Sequence, residues 1–173
     1  MTTGTRRAAL TVAALAAALT FAVGQEADPL RGATVAALGT FTPGAAPERS
    51  LQLLRITLEP GTTIPEHRHP GAVVVEVEEG VFGTTFAEGE GTIQRSEGEV
   101  ESVAAGESAT LQAGDSLAYE GALHTMANEG DETLVLVVAA LLDPNQPGFM
   151  FEGMDMDGED DGQDGDGQDG ESG

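Results

Sequence analysis

The 173-residue sequence contains no cysteine, no tryptophan and no lysine. Without cysteine, disulfides, thiolate metal ligands and thiol catalysis are excluded. Only six phenylalanines and one tyrosine are present, which argues against a base-stacking surface. Because 30 acidic residues face seven basic ones, the formal charge is -23, and nucleic acid and anionic membranes are excluded as partners of the mature protein. Any cofactor must be held by nitrogen and oxygen atoms.

The sequence has only three histidines, and all of them lie in two stretches punctuated by glycine. The first stretch, residues 61–80, carries His67 and His69, and the second, residues 114–128, carries His124. Because side chains alternate along a strand, histidines at positions i and i+2 project from the same face. Two imidazoles aimed at one point, with no histidine used elsewhere, indicate a metal site.

Both stretches resemble the paired motifs of the cupin family. The first cupin motif reads Gly, five residues, His-x-His, three or four residues, Glu, six residues, Gly, and the sequence matches it at Gly61, His67, His69 and Gly80. Val73 stands at the glutamate position. The second motif reads Gly, five residues, Pro-x-Gly, two residues, His, three residues, Asn. The sequence matches it at Gly114, Gly121, His124 and Asn128, with one residue fewer after the first glycine and Tyr119 in place of proline.

The resemblance covers residues 51–142 and implies a single all-β domain, the cupin double-stranded β-helix or jelly-roll barrel. It also implies that the three histidines meet on one divalent transition metal in the barrel. A ligand set of three imidazoles suits Fe, Zn, Cu or Ni, with Mn less favoured without the glutamate. Cupins often form dimers through their barrels, so a homodimer is expected.

The resemblance leaves the function open, because cupins include dioxygenases, isomerases, storage proteins and sugar-binding regulators. Three hypotheses remain, and the third is a structural or metal-buffering surface protein that would use the acidic tail. The first is a metal-dependent, dioxygenase-like enzyme that acts on a small substrate. The second is a noncatalytic barrel that binds a small ligand without metal. No catalytic residue is assigned, and whether the protein is an enzyme stays undecided.

Four further residues near the motifs are candidates for lining the cavity or supporting the ligands. Val73 and Met126 are interpreted as cavity lining, and Tyr119 as barrel packing or a general acid. Asn128 is interpreted as a hydrogen-bonding residue that supports a turn. By strand parity, Glu76 points to the opposite face from Val73, so it is a poor substitute for the missing carboxylate.

Residues 1–24 are predicted to be a secretory signal peptide. Arg6 and Arg7 precede an apolar run of about 16 residues, which is shorter than the roughly 20 residues that span a bilayer. The run ends in the small residues Ala22, Val23 and Gly24, typical of a cleavage site. The mature protein is therefore expected to be secreted or extracytoplasmic. The general secretory route is favoured, and the arginine pair leaves twin-arginine export open.

The rest of the chain divides by composition. Residues 25–50 are predicted to be a leader with one edge strand at 34–41, and residues 51–142 the barrel, built from short strands with Gly and Pro turns. The apolar segment 132–142 is predicted to be a strand buried on both faces. Residues 143–151 are interpreted as a linker. Residues 152–173 are predicted to be a disordered acidic tail, because dense like charge cannot repay the entropy of ordering.

Overall fold

The computed structural model describes residues 28–151, so the predicted signal peptide and acidic tail lie outside the described residues. None of the described segments is a helix long and apolar enough to cross a membrane. The described chain is built from twelve strands: β1 (Ala33–Phe41), β2 (Ser50–Leu58), β3 (Thr63–Arg68), β4 (Gly71–Glu79), β5 (Val81–Glu88), β6 (Glu90–Gln94), β7 (Val100–Ala104), β8 (Ser108–Gln112), β9 (Ser116–Glu120), β10 (Leu123–Asn128), β11 (Leu134–Leu142) and β12 (Met150–Phe151).

The strands form two antiparallel sheets whose inner faces enclose the core. The seven-stranded sheet has the order β1-β2-β11-β4-β9-β6-β7, and the five-stranded sheet has the order β12-β3-β10-β5-β8. Their shared core is apolar, and its largest fully buried members include Phe82, Phe86, Leu58, Ile64, Leu117 and Leu136. The predicted all-β fold, a single jelly-roll barrel, is confirmed.

Strand β4 follows the alternation predicted from its sequence. Val73, Val75 and Val77 are buried in the barrel, whereas Glu76 is exposed on the outer face. The register has no irregularity between Val73 and Val75 that would turn Glu76 inward. Glu76 therefore does not replace the carboxylate that the cupin motif places at the position of Val73.

Strand β11 differs from its prediction, because only one of its faces is fully buried. Leu134, Leu136 and Val138 point into the core, while Val135 and Val137 on the other face are partly exposed. A continuous apolar run indicates two covered faces only when a second layer packs on the outside. Within residues 28–151 no element covers that face. The alternation of buried and half-buried residues along β11 therefore reflects packing on its inner face alone.

Two segments outside the predicted barrel belong to its sheets. The predicted edge strand is found as β1, which pairs with β2 at the edge of the larger sheet. Residues 143–151, interpreted as a linker, include β12, which pairs with β3 through Met150 opposite Arg68 and Phe151 opposite His67. The chain after β11 therefore returns to the strand that carries the first histidine.

Gly71 forms the corner between the first histidine strand and β4. Its amide donates to the carbonyl of His69 at 2.9 Å. A Cβ atom at this position would lie 2.1 Å from the carbonyl oxygen of Leu141, so only glycine allows β4 to approach β11 this closely. The corner fixes where the chain leaves His69.

Candidate metal centre

Neighbouring strands of the smaller sheet bring two of the histidines together. His67 on β3 and His124 on β10 are directly opposite each other in the antiparallel register. His69 follows β3 at the corner that precedes Gly71. All three side chains are buried inside the barrel, with 0%, 1% and 9% of their surfaces exposed for His67, His124 and His69.

The three imidazoles are close enough to share one ion. One ring nitrogen from each histidine lies within 4.8 Å of the others. The ring centroids are 4.5 Å apart for His67 and His124, 5.0 Å for His67 and His69, and 5.7 Å for His69 and His124. Three nitrogens at these separations could bind one metal ion.

Hydrogen bonds at Nδ1 orient each ring. His67 Nδ1 lies 2.8 Å from the carbonyl oxygen of Pro65, and His69 Nδ1 lies 2.5 Å from that of Gly148. A carbonyl only accepts, so we assign the proton of both rings to Nδ1. His124 Nδ1 makes a longer contact of 3.4 Å with Thr84 Oγ1, whose own proton goes to the carbonyl of Thr125. All three Nε2 atoms therefore carry a free lone pair.

Two of these Nε2 atoms are buried without any partner. Among the described residues, His67 Nε2 and His124 Nε2 are the buried side-chain nitrogen or oxygen atoms that lack a hydrogen bond. An unsatisfied buried polar atom costs about 1–3 kcal/mol. A metal ion would satisfy both at once, and ligation through Nε2 with Nδ1 bonded to a carbonyl is the usual arrangement of metal-binding histidines.

The electrostatics of the cluster favour neutral imidazoles. Burial lowers the pKa of His67 to about 4. Burial, reinforced by the other two imidazoles, lowers the pKa of His124 to about 2. Burial also lowers the pKa of His69. Since only the deprotonated nitrogen binds a metal, the three ligands are ready for an ion at neutral pH.

An apolar cavity of about 40 Å³ adjoins His69 between the two sheets. Most of its wall is aliphatic and includes Leu54, Ile56, Val75, Val138 and Leu142. Val73 contributes another apolar group where the cupin motif has its carboxylate. Among the described residues, the side chains that line this cavity include no carboxylate, so on this side no carboxylate would complete the coordination of an ion held by the histidines.

The four supporting residues named from the sequence fall into two groups. Val73, Tyr119 and Met126 line the cavity. The Tyr119 ring lies 4.6 Å from that of His124, and burial raises the pKa of its phenol, which therefore stays protonated. Asn128 is buried outside the cavity lining, and its amide donates to the carbonyls of Leu58 and Glu132.

The sequence did not single out the segment that closes the site, residues 148–151, which we call the strap. Its Gly148 carbonyl bonds His69, and the Phe149 ring centroid lies 5.0 Å from His67 and 4.9 Å from His69. Phe151 lies 5.7 Å from His67. Two of only six phenylalanines in the chain occur within this segment, and that local enrichment was the available signal. No sequence pattern marked Gln52, which lines the cavity, or Thr84, which contacts His124.

Comparisons with known proteins gave likenesses only among solved structures. No protein-family model matches the sequence, and neither does any curated protein. The chain is similar to an oxalate oxidase in complex with the substrate analogue glycolate, at 23% identity and a TM-score of 0.47 over 80% of this chain and 63% of that one. It is also similar to Bacillus subtilis oxalate decarboxylase at pH 4.6, at 23% identity and a TM-score of 0.44 over 67% of this chain and 28% of that one.

The chain therefore spans less than two thirds of the length of either protein. At this level of likeness, the activities named for those proteins do not carry over to this chain. What the fold and the geometry establish is a single jelly-roll barrel with three buried histidines that could hold a metal ion.

Proposed function

We propose that this chain is an exported cupin in which His67, His69 and His124 hold one divalent transition metal for chemistry of the dioxygenase type on a small substrate. The observation that carries the proposal is the pair of buried, unpartnered Nε2 atoms of His67 and His124. The cupin assignment rests on the two glycine and histidine motifs together with the jelly-roll topology. Export rests on the arginine pair and apolar run of residues 1–24 alone.

The chain's own residues have separate tasks in this proposal. When bound, the ion supplies a Lewis acid with open positions for oxygen or substrate. The carbonyls of Pro65 and Gly148 hold the rings of His67 and His69 with Nε2 toward the ion. Phe149 excludes water from the imidazoles, and the protonated hydroxyl of Tyr119 is available to donate a hydrogen bond to a ligand in the cavity. Thr84 fixes the ring of His124.

The metal site is tested by elemental analysis of the untagged protein. The parent should contain about one equivalent of a transition metal, and a His67→Ala/His124→Ala variant should contain none, because it loses two of three ligands. Both proteins keep the same acidic tail, so nonspecific cation uptake cancels between them. Glu66→Gln is the matched control, since Glu66 is exposed beside His67. Its metal content should equal that of the parent.

The alternative function is a noncatalytic barrel that binds a small ligand without metal. The observation that favours it is Val73, which presents an apolar group to the cavity where the cupin motif has a carboxylate ligand. A parent protein that stays free of metal after reconstitution under reducing conditions would refute the metal site and leave this alternative. Metal binding without oxygen uptake for any substrate would leave a metal-dependent binding protein.

A further inference from the structure

The cavity beside His69 has few polar groups with which to bind a ligand. Apart from His69, the polar side chains that line it are those of Gln52 and Tyr119, and no lysine, arginine or carboxylate belongs to its described lining. Arg68 is adjacent to both histidines in sequence, but its guanidinium bonds the carboxylate of Glu88 and the carbonyl of Gly121. The cavity wall therefore has no positively charged side chain that could pair with a negatively charged group of a ligand.

The proposed ion is the only positive group that the cavity would present. Three neutral imidazoles leave a divalent ion with its full charge, which attracts an anionic oxygen. A second carboxylate at the far end of the ligand would lie against aliphatic side chains such as Leu54, Ile56 and Val138. Burying an unpaired charge against such a wall is strongly unfavourable. The wall thus selects for one charged head and an apolar body.

The size of the cavity restricts the ligand further. Its volume of about 40 Å³ corresponds to roughly three water molecules at about 10–15 Å³ each. A ligand with more than a few non-hydrogen atoms therefore fits only if part of the wall moves. Most of the wall belongs to β2, β4 and β11, each of which pairs with a strand on both sides in the larger sheet.

The strap is the part of the wall with the fewest backbone bonds. It is held by the pairing of β12 with β3 over two residue pairs, at the edge of the smaller sheet. The turn of residues 144–147 before it is exposed. Segments with few buried contacts and exposed backbone bonds open at the lowest free energy. Opening the strap would move the Phe149 ring away from the cavity and from both His67 and His69.

We propose that the ligand of this cavity is a small apolar molecule with a single anionic oxygen, and that the strap is the wall that moves to admit it. The ligand class rests on the proposed metal site, whereas the movement of the strap does not. Gly148 and Phe149 are positioning residues in this scheme: the carbonyl of Gly148 sets the ring of His69, and Phe149 encloses the apolar body of the ligand.

The ligand class is tested with butyrate and succinate, which share a four-carbon chain and differ in the second carboxylate. Titration calorimetry on the zinc-loaded protein should show butyrate binding at least about tenfold more tightly, because the second carboxylate is desolvated without a partner. Equal or tighter binding of succinate would overturn the ligand class, as would no binding of butyrate. If the protein takes up no zinc, the proposed metal site is refuted before any ligand is added. Failure of the metal site is therefore distinguishable from failure of the ligand class.

The role of the strap as the removable cover of the cavity is tested without metal through Tyr119, the only tyrosine in a chain that has no tryptophan. Its fluorescence reports on the cavity alone, and its side chain is only 7% exposed. Phe149→Ala should raise the Stern–Volmer constant for acrylamide several-fold in the metal-free protein. Phe41→Ala is the matched control, because Phe41 lies on β1 with 63% of its surface exposed, and it should leave the constant unchanged.

Two results would decide against the strap. Unchanged quenching in a folded Phe149→Ala variant would show that Phe149 does not close the cavity. In a variant that binds zinc, the loss of zinc to a chelator should also be faster, because the ring that packs 4.9 Å from His69 is gone. A zinc loss rate equal to that of Phe41→Ala would refute the role of the strap in holding His69.

Discussion

Asn128→Ala is expected to destabilise the barrel by about 3–4 kcal/mol. The amide of Asn128 donates to the carbonyl of Leu58 at 3.0 Å and to that of Glu132 at 2.7 Å, and its oxygen accepts from the amide of Gly130 at 3.0 Å. Each bond contributes about 1 kcal/mol net, and a buried partner left without a bond costs up to about 1–3 kcal/mol. Since Asn128 is only 4% exposed, water does not readily replace the lost partners.

Urea unfolding of the metal-free protein, followed by circular dichroism, measures this effect. The midpoint should fall while the slope stays constant, because the variant changes stability and not the area exposed on unfolding. Asn145→Ala is the matched control, since the Asn145 side chain bonds Asp143 at the exposed surface. Its effect should stay within about 0.5 kcal/mol. A loss below about 1 kcal/mol for Asn128→Ala would refute the reasoning, because the three bonds predict more.

Two further predictions concern charge. Burial lowers the pKa of His67 to about 4 and that of His124 to about 2, both below the ordinary value of 6.5 that applies when unfolded. The unfolded chain therefore binds more protons below pH 6.5, and the metal-free protein should lose about 2–3 kcal/mol between pH 7 and 5.5 from these two groups. Denaturant titrations at both pH values test this, and a His67→Gln/His124→Gln variant that keeps the same loss would contradict it. Separately, Arg95→Ala should cost about 2 kcal/mol, because it removes the guanidinium that bonds buried Asp115 at 2.9 Å and leaves that carboxylate with backbone donors only. The exposed pair of Arg55 and Glu78 is the control, and Arg55→Ala should change stability by less than about 0.5 kcal/mol in the same assay. Equal costs for the two arginine variants would refute this account.

The sequence predicted those features that depend on local pattern. Alternation in β4 predicted that Val73 and Val75 point inward and Glu76 outward, because a strand has a period of two residues. The same rule placed His67 and His69 on one face. The convergence of His124 with them needed the family resemblance, since the pairing of β3 with β10 joins segments more than 50 residues apart.

Other features depend on contacts that no local pattern records. The face of β11 that carries Val135 stays partly exposed because no second layer covers it within the described chain, and an apolar run does not report that absence. The role of Gly148 comes from its backbone carbonyl, which every residue possesses. The strap follows a segment with Pro and Asn that is typical of a linker, and its return to β3 is a tertiary effect.

The three ligands differ in how their positions are set. His67 and His124 belong to paired strands, so the distance between them is fixed by the hydrogen bonds of the sheet. His69 lies beyond the end of β3, and its ring is held by the Gly71 corner and by a carbonyl from the strap. In the proposed metal site, strand pairing would therefore position two of the nitrogens, whereas the corner and the strap would position the third. If the site holds an ion, its affinity would depend on the strap as well as on the sheet, because the strap carries the carbonyl that orients His69.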